Sequence, residues 1–248
     1  MAVQNNVNQF LTMISGAISL PAVKYARANI NSSVNGNNDS YTVPSGRRAL
    51  VLFSTLRSQS GSTATIIQNW KISGTYYNTL FSAISLTAGA VASDTADGGF
   101  VMEAGESISY NSNQTAINMF TQIVEFDNTA ALKTVKTLGA TNGDQTIYTV
   151  PSGKSAVLVS GNGQPFGCGN LGSFISNNSG GSITSNIYLV PNGGSKGTSN
   201  LFRGSVATAN GAATRINSGA VLTAGDFIVW NCNTTNANAL CAVTLVEM

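Results

Sequence analysis

Glu103 and Glu106 stand three residues apart just before an apolar run. Two carboxylates flanking one bond are the machinery of glycoside hydrolysis. In a second copy of the same stretch, described below, Thr223 replaces the first acid and Asp226 keeps the second. The pair therefore reads as a turn acid accepting backbone N–H bonds ahead of a strand. Asp94 and Asp97 before Gly98-Gly99 hint at a calcium loop but miss its alternating-acid spacing. Asn35 to Asp39 is a weaker hint of the same kind. Trp70, Tyr76, Tyr77 and Trp230 could stack on a sugar ring. Trp70 and Trp230 fit core positions better, which leaves Tyr76-Tyr77 as the aromatic pair without a core assignment.

The chain has no histidine, which removes the Ser-His-Asp and Cys-His mechanisms and the commonest general base. Gly161-Asn162-Gly163 with Gly167 misses the dinucleotide-loop spacing, and no GxxxxGK[ST] phosphate loop occurs. Cys168, Cys232 and Cys241 include no CxxC pair, so a zinc site has almost no ligands to draw on. Cys232 and Cys241 could face each other across a hairpin, and buried free thiols are the default for all three. The expectation is a non-enzymatic protein without cofactor or metal.

The elements that would carry such residues come from composition and repetition. Of 248 residues, 42% are hydrophobic, enough for real cores, and only 9% are charged, against about 25% in an average soluble chain. Net charge is +2, and no basic run exceeds Arg47-Arg48, so nucleic acid is not an expected partner. No apolar stretch has the length of a transmembrane helix, so no membrane partner is expected. The first twenty residues lack a positive n-region, with Lys24 the first lysine, and read as part of the mature protein. Polar surface must come from Ser, Thr, Asn, Gln and Gly, which cost less to desolvate than carboxylates and ammonium groups. That suits a protein whose surface is covered by neighbours.

Tyr41-Thr42-Val43-Pro44-Ser45-Gly46 recurs as Tyr148-Thr149-Val150-Pro151-Ser152-Gly153. Each copy continues into a basic residue and an apolar strand, ALVLF from Ala49 and AVLV from Ala156. Ala22-Val23-Lys24 with Arg27 matches Ala131-Leu132-Lys133 with Lys136. Ala104-Gly105-Glu106 with Ile108 and Tyr110 matches Ala224-Gly225-Asp226 with Ile228 and Trp230. Both copies close on an apolar strand, ending at Val124-Glu125-Phe126 and Val246-Glu247-Met248. The offset is 107 residues at YTVPSG and 120 at AGE/AGD, so the second copy carries a net insertion of 13 residues. This places extra loop in Ser160 to Asn178. The division is an arm (1–20), one unit (21–127) and a second unit (128–248).

Alternation runs through both units. Ala64, Ile66, Trp70 and Ile72 share one strand face, and Phe120, Val124 and Phe126 alternate with Thr121, Ile123 and Glu125. Gly, Asn, Ser and Asp fill the turns. The fold class is all-β: two tandem, duplicated β-sandwich units, jelly-roll or Ig-like. The arm differs, with Val7, Leu11, Ile14 and Ile18 at helical spacing and Phe10 beside them. Phe10, Leu11, Ile14 and Ile18, with Phe166, Leu171 and Phe174 of the inserted loop, are the candidate interface residues. Tyr41, Pro44, Gly46, Gly105 and Tyr110, with Tyr148, Pro151, Gly153, Gly225 and Trp230, define the repeat.

Tyr148 to Lys154 and the AVLV strand after it resemble a turn-and-strand motif of tailed-bacteriophage virion structural proteins. Ser179-Gly180-Gly181-Ser182, the strand through Tyr188-Leu189-Val190-Pro191 and the AGD–I–W stretch look like the same family. The first copy departs from it in having Arg47 for lysine, and the second in its longer loop. The resemblance implies a virion structural protein on the particle surface, first a capsid decoration or cement protein. A tail, baseplate or fibre-attachment component is close behind. Expected partners are major capsid or tail proteins and further copies of the chain, with a trimer as one option. A carbohydrate-binding adhesin for a host glycan is the rival of a different class, and a glycosidase or depolymerase is third.

Overall fold

The computed structural model describes residues 23–30, 37–79, 84–94, 99–158, 173–216 and 219–248. They form two β-sandwiches in succession. In the first, one sheet runs β1 (Val23–Ile30), β10 (Ile117–Asp127), β3 (Arg47–Ser58), with β7 (Val91–Asp94) and β8 (Val101–Met102) both paired to β3. The facing sheet runs β2 (Asn38–Thr42), β9 (Ser107–Ser112), β4 (Ala64–Ile72), with β5 (Thr75–Asn78) and β6 (Ile84–Leu86) on β4.

The second sandwich repeats this order. Its first sheet runs β11 (Leu132–Ala140), β20 (Asn236–Glu247), then β13 (Ser155–Leu158) and β14 (Ser173–Asn177), both paired to β20. Outside them lie β18 (Ala220–Thr223) on β13 and β17 (Ala212–Ile216) on β14. The facing sheet runs β12 (Gly143–Thr149), β19 (Phe227–Cys232), β15 (Ile183–Val190), β16 (Leu201–Thr208). In each sandwich the first strand pairs with the last and the second with the next to last. That is the order of a jelly roll, whereas in an immunoglobulin sandwich the first two strands share a sheet.

Register shows how the copies diverged. In the first sandwich β3 is continuous, with a bulge where Gln122 opposes Phe53 and Ile123 opposes Val51. In the second, Leu158 ends β13 opposite Leu245 and Phe174 opens the pairing of β14 opposite Ala242. Residues 159–172 stand where the first copy has Leu52 and Phe53. The insertion therefore ends before Ser173, and Ser173 to Asn177 form a strand rather than loop.

The positions expected in the two cores are there: Val43 and Val150, Ile108 and Ile228, Tyr110 and Trp230 are all buried. Ala64, Ile66, Trp70 and Ile72 share the inward face of β4, as their alternation requires. The alternation of β10 misassigns its inward face. Met119 and Ile123 line the first core, and Glu125 is buried against Tyr41. Val124 and Phe126, on the opposite face, are buried too. A strand covered on both sides has no polar face to betray its orientation.

The last strand explains how the halves hold together. Along β20, Cys241, Val243 and Leu245 belong to the second core, while Leu240 and Ala242 belong to the first. One sheet of the second sandwich thus closes its own core with one face and part of its neighbour's with the other.

Candidate functional site

The repeated hexapeptide makes the same clip twice. Pro44 O accepts from Arg47 N, and Pro151 O from Lys154 N, at 3.2 and 3.1 Å. Gly46 and Gly153 sit at φ 73° and 74°, the left-handed position that a type II turn gives to glycine. The valine of each hexapeptide then grips the AGE or AGD turn. Val43 N donates to Glu106 O and Gly105 N to Val43 O; Val150 N donates to Asp226 O and Gly225 N to Val150 O, each at 2.9 Å. Gly105 and Gly225 both have φ 85°. Proline fits at the start of the turn because its missing donor is not needed there.

The tyrosine completes the clip. Tyr41 Oη donates to Glu125 at 2.6 Å and Tyr148 Oη to Glu247 at 2.5 Å, tying the second strand of each sandwich to its last. Burial, reinforced by the carboxylate, pushes both phenol pKa values well up. The ammonium of Lys133 and the Tyr148 hydroxyl hold Glu247 below the usual carboxylate range.

Glu103 and Glu106 are not a reacting pair. Glu106 Oε2 accepts the Glu103 N–H at 3.0 Å and the Trp70 indole N–H at 2.9 Å. Glu103 itself pairs with Arg48. Asp226 does the same turn work in the second copy, accepting from Thr223 N and Asn192 N, which lowers its pKa. Asp39 pairs with Lys71, Asp127 with Arg47 and Asp144 with Lys196. Asp94 ends β7 opposite Ser54, and Asp97 lies outside the described residues.

Between the sandwiches, Lys136 on β11 forms an ion pair with Glu106 and lies over the Trp70 ring, 4.9 Å from its centroid. Phe174 packs with Trp70 and Phe100 at centroid distances of 6.3 and 5.8 Å. Val101 N donates to Thr134 Oγ1 at 2.8 Å, and Asn78 Nδ2 to Gly211 O at 2.6 Å. Phe174 is thus not an outward contact residue: it is buried, spent on joining the halves. Phe10, Leu11, Ile14, Ile18, Phe166 and Leu171 lie outside the described residues, as does the glycine run at 161–167.

The aromatic pair offered as a sugar platform is divided. Tyr77 is a core residue, and Tyr76 is half-buried beneath the Lys71 ammonium. Cys232 and Cys241 are free thiols inside the second core, and burial raises the Cys241 pKa. Cys168 lies outside the described residues. The junction around Trp70, Glu106, Lys136 and Phe174 was not anticipated. A usable signal was present: Trp70, Phe100 and Phe174 have no aromatic counterpart in the other copy.

No protein-family model matches the chain, and no curated protein matches it. Among solved structures, the major capsid protein P2 from bacteriophage PM2 has a TM-score of 0.31 at 10% identity, covering 92% of this chain and 98% of that one. The PBSX exported protein XepA has a TM-score of 0.29 at 8% identity, covering 92% and 86%. A chain of Sulfolobus Turreted Icosahedral Virus has a TM-score of 0.26 at 14% identity over 89% of this chain, which spans 59% of that chain's length. Likeness of this order assigns no function.

Proposed function

We propose that this chain is a non-enzymatic structural component of a virus particle, first a capsid decoration protein, with a tail or baseplate component second. One observation carries the reading: the negative charge is used up inside the molecule. Each carboxylate whose side chain is described is held by a cation, a tyrosine or its own turn. The outer surface is left largely to hydroxyls, amides and backbone, which are cheap to desolvate against a neighbour. Two sandwiches locked through shared cores supply a stiff block, and the resemblance of the YTVPSG turn to tailed-phage virion proteins points to the particle. In this reading residues 1–20 are an arm and residues 21–127 and 128–248 the two units.

A neutral groove lined by Ser179, Ser182, Asn233, Thr234, Thr235 and Asn236 offers hydroxyl and amide partners to a glycan. It has no aromatic wall for a sugar ring, so glycan binding is the secondary reading. The deciding experiment is antibody labelling of purified particles in negative stain. Label spread over the head supports decoration, and label at one vertex supports the tail. Particles free of the chain overturn the structural reading.

A further inference from the structure

Because the two sandwiches share one strand order, each contact that the first makes with the second has a counterpart position in the second. In the first, Val101 gives its N–H to Thr134 and is 0% exposed, and Asn78 bonds Gly211 and is 5% exposed. Register carries Val101 onto Val221. Val101 opposes Leu50, itself opposite Val124; Val221 opposes Val157, itself opposite Val246. Register likewise carries Asn78 onto Leu201. Asn78 opposes Asn69, itself opposite Ser109; Leu201 opposes Tyr188, itself opposite Val229. Yet Val221 is 69% and Leu201 41% exposed.

The covering face shows the converse. Ala213 on β17, opposite Ser176, packs against the first core. Its counterpart on β7 is Val91, opposite Arg57, and Val91 is 60% exposed. So the second sandwich carries an exposed copy of the receiving edge, and the first an exposed counterpart of the rim of the covering face, at Val91 and Arg57. Exposed aliphatic side chains mark both: among the described residues Val91, Leu201 and Val221 are three of the five exposed large hydrophobics. The acid and the base of the junction recur in register as well. Glu106 and Lys136 meet within the chain. Asp226 stands at the position of Glu106, and Arg27 at that of Lys136, opposite Phe120 as Lys136 is opposite Ala242.

We propose that a second copy of this chain docks there, the β16–β18 edge of one copy against the exposed part of the outer face of β7 and β3, around Val91 and Arg57, of the next. The two partners use different surfaces, so the contact is head-to-tail and propagates until a ring closes. It rests on register and exposure rather than on the virion reading, and self-association and presence in particles can fail separately.

Sedimentation of the purified full chain over a concentration series should show association that rises with concentration. Val221→Asp and Leu201→Asp, each alone, should weaken it by about tenfold or more, because a carboxylate is expensive to bury unpaired. Val91→Asp should do the same from the other face. All three side chains are exposed, so thermal unfolding of the monomer should not move. Leu138→Asp, at an exposed aliphatic position outside both faces, should leave association unchanged. Mixing the Val91→Asp and Val221→Asp proteins leaves one intact pair of faces, so the mixture should form heterodimers and nothing larger. A wild-type chain that stays monomeric throughout overturns the proposal, as does association undiminished by both variants. A mixture that yields no heterodimer overturns the head-to-tail arrangement.

Discussion

Glu106 and Asp226 end the same turn in the two sandwiches, and one methylene separates what they do. Glu106 closes its turn with Oε2, takes the Trp70 indole on the same oxygen, and has Oε1 left for Lys136 of the other sandwich. Asp226 accepts from Thr223 N on Oδ2 and from Asn192 N on Oδ1, both on its own sandwich. The aromatic residues follow the same division. Trp70, Phe100 and Phe174 meet at the junction, where register gives their counterparts as Leu189, Ala220 and Thr55. Backbone turns were kept in both copies, then, while side chains specialised where one copy leans on the other.

The comparison breaks most readily at Phe174. Phe174→Ala should cost about 3–5 kcal/mol by urea denaturation, as buried aromatic truncations do. Thr55→Ala, at the counterpart position, should stay within about 0.5 kcal/mol. Equal costs would mean that the junction contributes no more than an ordinary surface. Next in size is Glu106→Gln, which leaves Lys136 without its counter-charge in a largely buried place. It should cost about 3 kcal/mol, against about 1 kcal/mol for Asp226→Asn, which weakens only turn hydrogen bonds.

Acid should produce the smallest effect per group. The folded pKa values of Glu247, Asp226 and Asp144 all lie below their unfolded values. Their contribution is therefore complete above the unfolded carboxylate range of about pH 4. It is lost as pH falls through the folded values. Thermal melts taken through that range should show stability falling. A melting temperature indifferent to acid would deny these carboxylates a part in the fold.

How far the amino acids announced this arrangement differs by place. The YTVPSG and AGE/AGD turns were legible because a proline-small-glycine turn has one geometry, and finding it twice removes chance. The grip between them was not legible, because the two stretches recur at offsets of 107 and 120 residues and nothing in the spacing says that they touch. Phe174 was not legible as a strand residue. The stretch from Gly169 to Asn178 is rich in glycine, serine and asparagine on both sides of the boundary, so counting offsets could not place the end of the insertion before Ser173. The inward face of β10 failed for another reason. Alternation reads orientation from contact with water, and Val124 and Phe126 lie on a face turned away from the core yet buried. The Lys136–Glu106 pair was beyond reach because neither residue looks unusual until the two sandwiches are set side by side.

The bulge in β3 has a use beyond the fold. The second copy carries residues 159–172 at the place where the first has only Leu52 and Phe53, and β13 and β14 still pair with the same neighbour on either side. The duplication has thus already performed a grafting experiment on itself. Leu52 marks the corresponding splice point in the first copy, a site for carrying a foreign peptide that keeps both flanking stretches of β3 in register with β10.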